Sequence, residues 1–386
     1  MGIVKKWGRY ALLLLVLAVL VTGCMPGRTV SNVGWTVVTA EDGIIYTVLP
    51  TGEVLALDAE REGEVLWRYP TKKSGGGGLG CSIVQKPEEN ASLPLDAVYG
   101  IPALAGDLLL VTSYDQHLYA FDKKTGEIAW TFPIEEEDGA LVGGVTLYDG
   151  IAYFGSSDHK VYALDLASQK LVWEKPFTTG NRVWGEPAVD EEHVYVGSMD
   201  HYVYAIDRQT GELIWKKDIG ASVPGAVTLA NGILFVGGVD RRLHALDARD
   251  GSELWQTEEL GGWVWGEALV HQGYVYFTSL EGTLHARSVA DGTPRWRPVS
   301  LDSPVRAGPV IIDGHLLLGT EAGALFVVDM EKGTRERFYT DLKGGVLSRP
   351  AVVGKMAYVG TAVGHIYALD YSRRDPLVWE YPPPKK

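Results

Sequence analysis

Val203-Tyr-Ala-Ile-Asp207-Arg-Gln-Thr-Gly211-Glu-Leu-Ile-Trp215 decides the fold, because nearly the same phrase stands at Leu118-Tyr-Ala-Phe-Asp122-Lys-Lys-Thr-Gly126-Glu-Ile-Ala-Trp130. Related phrases are centred on Asp58, Asp165, Asp247, Ser288, Asp329 and Asp370, and from Asp122 onward they recur every 40 to 43 residues. The interval from Asp58 to Asp122 is longer, at 64 residues. A period of about 40 with several alternating apolar runs per copy exceeds one hairpin and fits a four-stranded blade. In the copy over 182–218, residues 183–189 read as the inner strand, 193–197 as the second, 202–206 as the third and 212–216 as the outer one. Between the last two, Asp207 bonds backbone amides and Gly211 supplies the positive φ of a tight turn.

Trp215 has counterparts in Trp67, Trp130, Trp173, Trp255, Trp296 and Trp379, a flat surface for each of these blades to lay against its neighbour. Two copies depart: Ser288 replaces the turn aspartate in the sixth, and Arg337, beside Phe338, replaces the tryptophan in the seventh. Looser packing is expected of those blades. A single blade cannot bury both faces of its sheet, and neither the first copy nor the last reads as a polar cap, so the copies must close into a ring. The expected fold is therefore all-β, an eight-bladed β-propeller of four-stranded antiparallel blades over 34–386.

The phrase Tyr-Ala-Leu/Ile-Asp-x-x-Thr-Gly-x-x-x-Trp resembles the PQQ-like propeller repeat, a resemblance that covers residues 34–381. Relatives with this repeat include quinone-dependent dehydrogenases, whose site, as that family implies, takes a longer chain, a calcium ion, a catalytic aspartate and commonly an adjacent Cys-Cys pair. The sequence has two cysteines, Cys24 and Cys81, far apart, and little length beyond eight blades, so the enzyme reading is disfavoured and no cofactor or catalytic residue is expected. With an exported lipoprotein N-terminus, the chain is most similar to the propeller lipoproteins of the outer-membrane β-barrel assembly complex. That resemblance implies a scaffold docking an envelope protein of the assembly machinery.

The N-terminus itself reads as a secretory lipoprotein signal over 1–23. Lys5, Lys6 and Arg9 precede eleven apolar residues, 11–21, and Val21-Thr22-Gly23-Cys24 resembles a lipobox. Eleven residues rise only about 16 Å as a helix against a bilayer core of roughly 30 Å, which makes a spanning anchor the weaker reading. Cys24 is then the lipidation site, carrying palmitate-type acyl chains, and 24–33 a tether. The expected location is the cell envelope, on the outer face of the cytoplasmic membrane or on the outer membrane facing the periplasm. Met25, where inner-membrane retention would place Asp, leans toward the latter.

Removing 1–23 takes away three basic residues and no acidic one, so the formal charge moves from −14 to −17. Such a surface disfavours nucleic acid and suits basic partners. With Cys24 lipidated, Cys81 has no intrachain partner, which excludes a disulfide scaffold; a monomeric propeller is expected.

The candidate ligand-binding residues come from aligning the inner strands: Tyr99-Gly-Ile-Pro, Val142-Gly-Gly-Val, Trp184-Gly-Glu-Pro, Pro224-Gly-Ala-Val, Trp265-Gly-Glu-Ala, Arg306-Ala-Gly-Pro and Leu347-Ser-Arg-Pro. Alternate strand residues point the same way, which puts Trp184 with Glu186, and Trp265 with Glu267, on one face near the central channel. Tyr99, Arg306 and Arg349 join them. Two readings stand: a pocket for a small polar or cationic ligand, or a channel plugged by tryptophan with the glutamates paired to the arginines.

Other residues carry less. Asp115 with His117, Asp158 with His159 and Asp200 with His201 fall in equivalent turns of successive blades, spread around a rim, so no metal site is expected. The first long interval holds an insert over 71–97, including Ser74-Gly-Gly-Gly-Gly-Leu-Gly-Cys81, which contains G-x-G-x-x-G with no helix pattern behind it and reads as a flexible projection. Such a loop is a second place where a partner would dock.

Overall fold

The computed structural model describes residues 33–71, 93–135 and 138–384. The lipobox with Cys24, and Cys81 with most of the Gly-rich insert, lie outside them. Eight antiparallel sheets follow one another as blades over 37–69, 103–133, 146–178, 188–218, 228–256, 269–300, 310–339 and 351–381. Among the described residues no helix is long and apolar enough to cross a membrane.

Each blade is a run of consecutive strands from the inside outward. The second and third strands, such as His193–Gly197 and Tyr202–Asp207, are buried along nearly their whole length because neighbouring blades cover both faces. The outer strand Leu213–Asp218 meets a neighbour on one face only and alternates exposed with half-buried residues. Eight apolar clusters result, one between each pair of adjacent blades, and the core is this set of eight interfaces.

The repeated phrase explains how those interfaces lock. Ala205 pairs across the strands with Trp215, leaving room for the indole, and the register slips by a bulge just after it. Trp215 then donates its indole N–H to the carbonyl of Ala248 in the next blade, at 3.0 Å. The same bond joins Trp67 to Lys123, Trp173 to Arg208, Trp255 to Val289 and Trp296 to Met330, always at the residue after the turn Asp or Ser. Each indole lies on the turn glycine of that next blade; a Cβ on Gly251, for example, would stand 2.6 Å from the ring of Trp215.

Trp130 is the exception, because the third blade carries Gln169, at φ 56°, where six other blades carry glycine. Among the described residues its indole nitrogen makes no such bond. The seventh blade has no tryptophan, and Phe338 instead packs edge-on against Tyr371 of the eighth, ring centres 5.5 Å apart.

Irregularity falls partly elsewhere than the sequence suggests. The seventh blade keeps a complete outer strand, Arg335–Tyr339, because Phe338 takes over the packing. The third blade's outer strand breaks into Lys170–Leu171 and Phe177–Thr178 around Pro176, which has no N–H to give the ladder. In the sixth, Pro294 and the short strand Val299–Ser300 show the expected disorder of pairing.

Among the described residues the ring closes without exchanging a strand, since the first and last sheets are each contiguous. Side chains join them: Trp379 donates to the carbonyl of Ala59 at 3.1 Å, Ser348 to that of Thr36 at 2.7 Å, and Arg68 bonds the Tyr381 hydroxyl. The far end of the insert is also part of the body rather than a projection. Leu95 is 2% exposed, and its N–H bonds the carbonyl of Gly52 at 3.0 Å.

Candidate functional site

A cavity of about 350 Å³ is lined by residues from all eight blades, which places it on the ring axis. Tyr99, Trp184, Glu186, Trp265, Glu267, Arg306 and Arg349 all line it. Their geometry differs from the expected inner strands, however. The regular inner strands begin only at Ala188 and Leu269, two residues beyond each Trp-Gly-Glu. At the hub the backbones approach too closely for regular pairing: a Cβ on Gly185 would stand 2.0 Å from the carbonyl of Gly225, and one on Gly225 at 2.0 Å from that of Trp265. Glycine at these positions lets the lining segments touch, and they deliver the side chains to the cavity.

Large and small residues share the wall unevenly. Trp35, Tyr99, Trp184 and Trp265 come from the first, second, fourth and sixth blades, whereas the third and fifth give Val142-Gly-Gly and Pro224-Gly-Ala. Trp35 and Tyr99 meet edge to face with centres 5.4 Å apart, and Tyr99 meets Tyr114 the same way at 6.2 Å. Trp184 is held by its indole N–H, which donates to Ser157 Oγ at 3.0 Å, and by the Arg182 guanidinium over its ring at 5.9 Å.

The charges are unevenly matched. Arg349 forms an ion pair with Glu267, as one reading of the sequence expected. Arg306 turns instead to Glu321, at 2.6 Å. That leaves Glu186 with no basic group bonded to it, beside the Thr146 hydroxyl. Burial first, then the negative charge of Glu267, push its carboxyl up to about 7, against the opposing pull of Arg349 and Thr146. Near neutral pH Glu186 is therefore divided between acid and carboxylate.

Trp35, Tyr114, Ser157 and Glu321 escaped the sequence reading. Trp35 was within reach, since Trp35-Thr-Val37 aligns with the other seven segments; the rest lie on loops outside that alignment. Hard divalent cations take about six to eight oxygens. The lining offers two carboxylates, one of them committed to Arg349, so a calcium-supported quinone does not fit these residues.

The Asp-His turns serve the blades. Asp115, Asp158 and Asp200 each accept the hydroxyl of a tyrosine on the following strand, Tyr119 at 2.9 Å, Tyr162 at 2.6 Å and Tyr204 at 2.5 Å. His159 and His201 occupy the left-handed turn position, φ 70° and 80°. Among the described residues no three potential ligands gather around a metal position.

The model of the family described as "Outer membrane protein assembly factor BamB" matches residues 26–186, 178–297 and 281–383. The crystal structure of BamB from Moraxella catarrhalis superposes with a TM-score of 0.66, covering 86% of this chain and 95% of that one at 17% identity. The computationally designed Ika8 protein gives 0.72, covering 87% and 96% at 14% identity. At such identities these two likenesses speak for the fold alone. A curated relative, the quinohemoprotein alcohol dehydrogenase ADH IIB of Pseudomonas putida, is 33% identical over 161 residues, 39% of this chain. The match takes in 21% of that enzyme's length.

Proposed function

The chain belongs to the BamB family of PQQ-like propellers, and from that premise we propose that it is a non-enzymatic scaffold, lipid-anchored through Cys24, that docks an envelope protein of the barrel-assembly machinery. The observation that carries this reading is the extent of the family match, which runs through every blade from 26 to 383. Likeness to the dehydrogenase stops at 39% of the chain, as expected when only the repeat is shared. A net charge of −17 after removal of 1–23 suits a basic docking surface.

A second reading, a propeller that binds or senses a small extracytoplasmic ligand, draws support from the axial cavity. Affinity purification of the native lipidated protein from mildly solubilised membranes, with mass spectrometry of bound proteins and bound small molecules, separates the two. Stoichiometric recovery of a barrel-assembly protein, kept by the Trp184→Ala/Trp265→Ala double variant, is the expected result. Recovery of no envelope protein from wild type would refute the scaffold reading.

A further inference from the structure

We propose that the axial cavity is a binding site for a small organic cation, an ammonium group carried on a compact apolar body, seated between Trp184 and Trp265 against Glu186. The inference names a ligand class for the second reading above and does not depend on the docking role.

Three observations converge on it. First, the fourth and sixth blades place their indoles on either side of the fifth, whose lining residues are only Pro224, Gly225 and Ala226. The wall between the two rings thus carries no large side chain, and a volume of about 350 Å³ accommodates a compact ligand. Aromatic faces attract cations through their quadrupoles, most strongly where water is excluded.

Second, the charged groups of the cavity are unevenly matched. Arg349 pairs with Glu267 and Arg306 with Glu321, so each guanidinium already faces a carboxylate. Glu186 alone among the lining carboxylates bonds no basic group. A positively charged ligand would supply the partner that its carboxylate form lacks.

Third, the surroundings of Glu186 set its response to pH. The charged groups acting on it are Glu267 from the sixth blade and Arg349 from the eighth, and the remaining charged group of the lining, Arg306, is paired with Glu321. Burial and Glu267 hold its proton on up to about 7. A cation entering beside it reverses that penalty and draws the carboxyl into its ionised form, so binding and proton release are linked. A neutral guest gains nothing from ionisation.

The test uses the full lipidated protein in a neutral glycoside detergent. Choline and its uncharged carbon isostere 3,3-dimethylbutan-1-ol are titrated by calorimetry and tryptophan fluorescence at constant ionic strength. Saturable choline binding is expected, with the alcohol weaker by roughly ten-fold or more. Affinity for choline should drop roughly ten-fold from about pH 8 to about pH 6, as Glu186 takes up its proton. Glu186→Gln, which keeps the side-chain shape, should lose that pH dependence, and Trp265→Ala should lose choline binding while its circular dichroism stays that of wild type. Equal binding of choline and the alcohol, or unchanged choline affinity in Glu186→Gln, overturns the cation assignment even if a native small molecule co-purifies. Absence of saturable choline binding up to roughly 10 mM overturns it as well.

Discussion

Gly126 of the second blade faces the indole of Trp67 in the first so closely that a Cβ would stand 2.4 Å from the ring. Two demands meet at this one atom. The turn needs φ of 72°, and the neighbouring blade needs the space. Gly150 has a similar φ, 75°, with nothing within 4 Å of its would-be Cβ. Gly150→Ala is therefore expected to cost only the backbone strain, about 1–2 kcal/mol. Gly126→Ala adds the clash with Trp67 and should cost about 2–4 kcal/mol. Urea unfolding of the two variants measures the difference, and equal losses would remove the interlock from the account.

The third blade offers the converse experiment. Gln169 holds the left-handed position where six other blades have glycine. Gln169→Gly relieves that strain and opens the place where Trp130 would reach the next turn. Stability should rise by about 1 kcal/mol. A destabilised variant would show that Gln169 makes a contact worth more than the strain it carries.

Glu186 predicts a pH dependence with a definite sign. Its folded carboxyl is raised from 4.5 to about 7, so between those values the folded state keeps a proton that the unfolded chain has released. Stability contributed by this group is then full below about 4.5, falls as pH rises, and is lowest above about 7. Glu186→Gln should match wild type at about pH 4 and exceed it by about 2–3 kcal/mol at about pH 8. Chemical denaturation at the two pH values decides it; a constant offset would mean that the carboxyl is not held protonated.

Lipidation is tested at the residue itself. Cys24→Ser should abolish incorporation of labelled palmitate and move the protein from the membrane to the soluble or unprocessed fraction. Membrane retention of a cleaved Cys24→Ser protein would point to docking contacts alone as the anchor.

The fold was legible because its signal is redundant. Tyr-Ala-x-Asp and Gly-x-x-x-Trp each serve a packing duty that recurs in most blades, so the period survives local departures such as Ser288 and Arg337. The site was legible as a set of residues and poorly legible as geometry. Aligning equivalent positions finds Trp184, Glu186, Trp265 and Glu267, since symmetry sends equivalent positions to one axis. It does not reveal that the strands give out at the hub, because that follows from crowding among eight backbones. Nor does it choose partners for Arg306 and Arg349, which depends on a loop residue, Glu321, and on how far each side chain reaches. Pro176 was a readable warning of the broken strand in the third blade, whereas the good packing of the seventh rests on Phe338 finding Tyr371 across an interface.

The contiguous first and last sheets also bear on timing. A propeller that borrows a strand across its seam can begin to close as soon as that strand is paired. Here, among the described residues, every blade is finished from its own stretch of chain, and the clasp is Trp379 against Ala59, contributed by the outer strand of the eighth blade. Seven blades can stack in order of appearance while the ring stays open. Its final shape, and any cavity on its axis, thus exists only once the eighth blade has joined the first, which makes ring closure the step that completes the site.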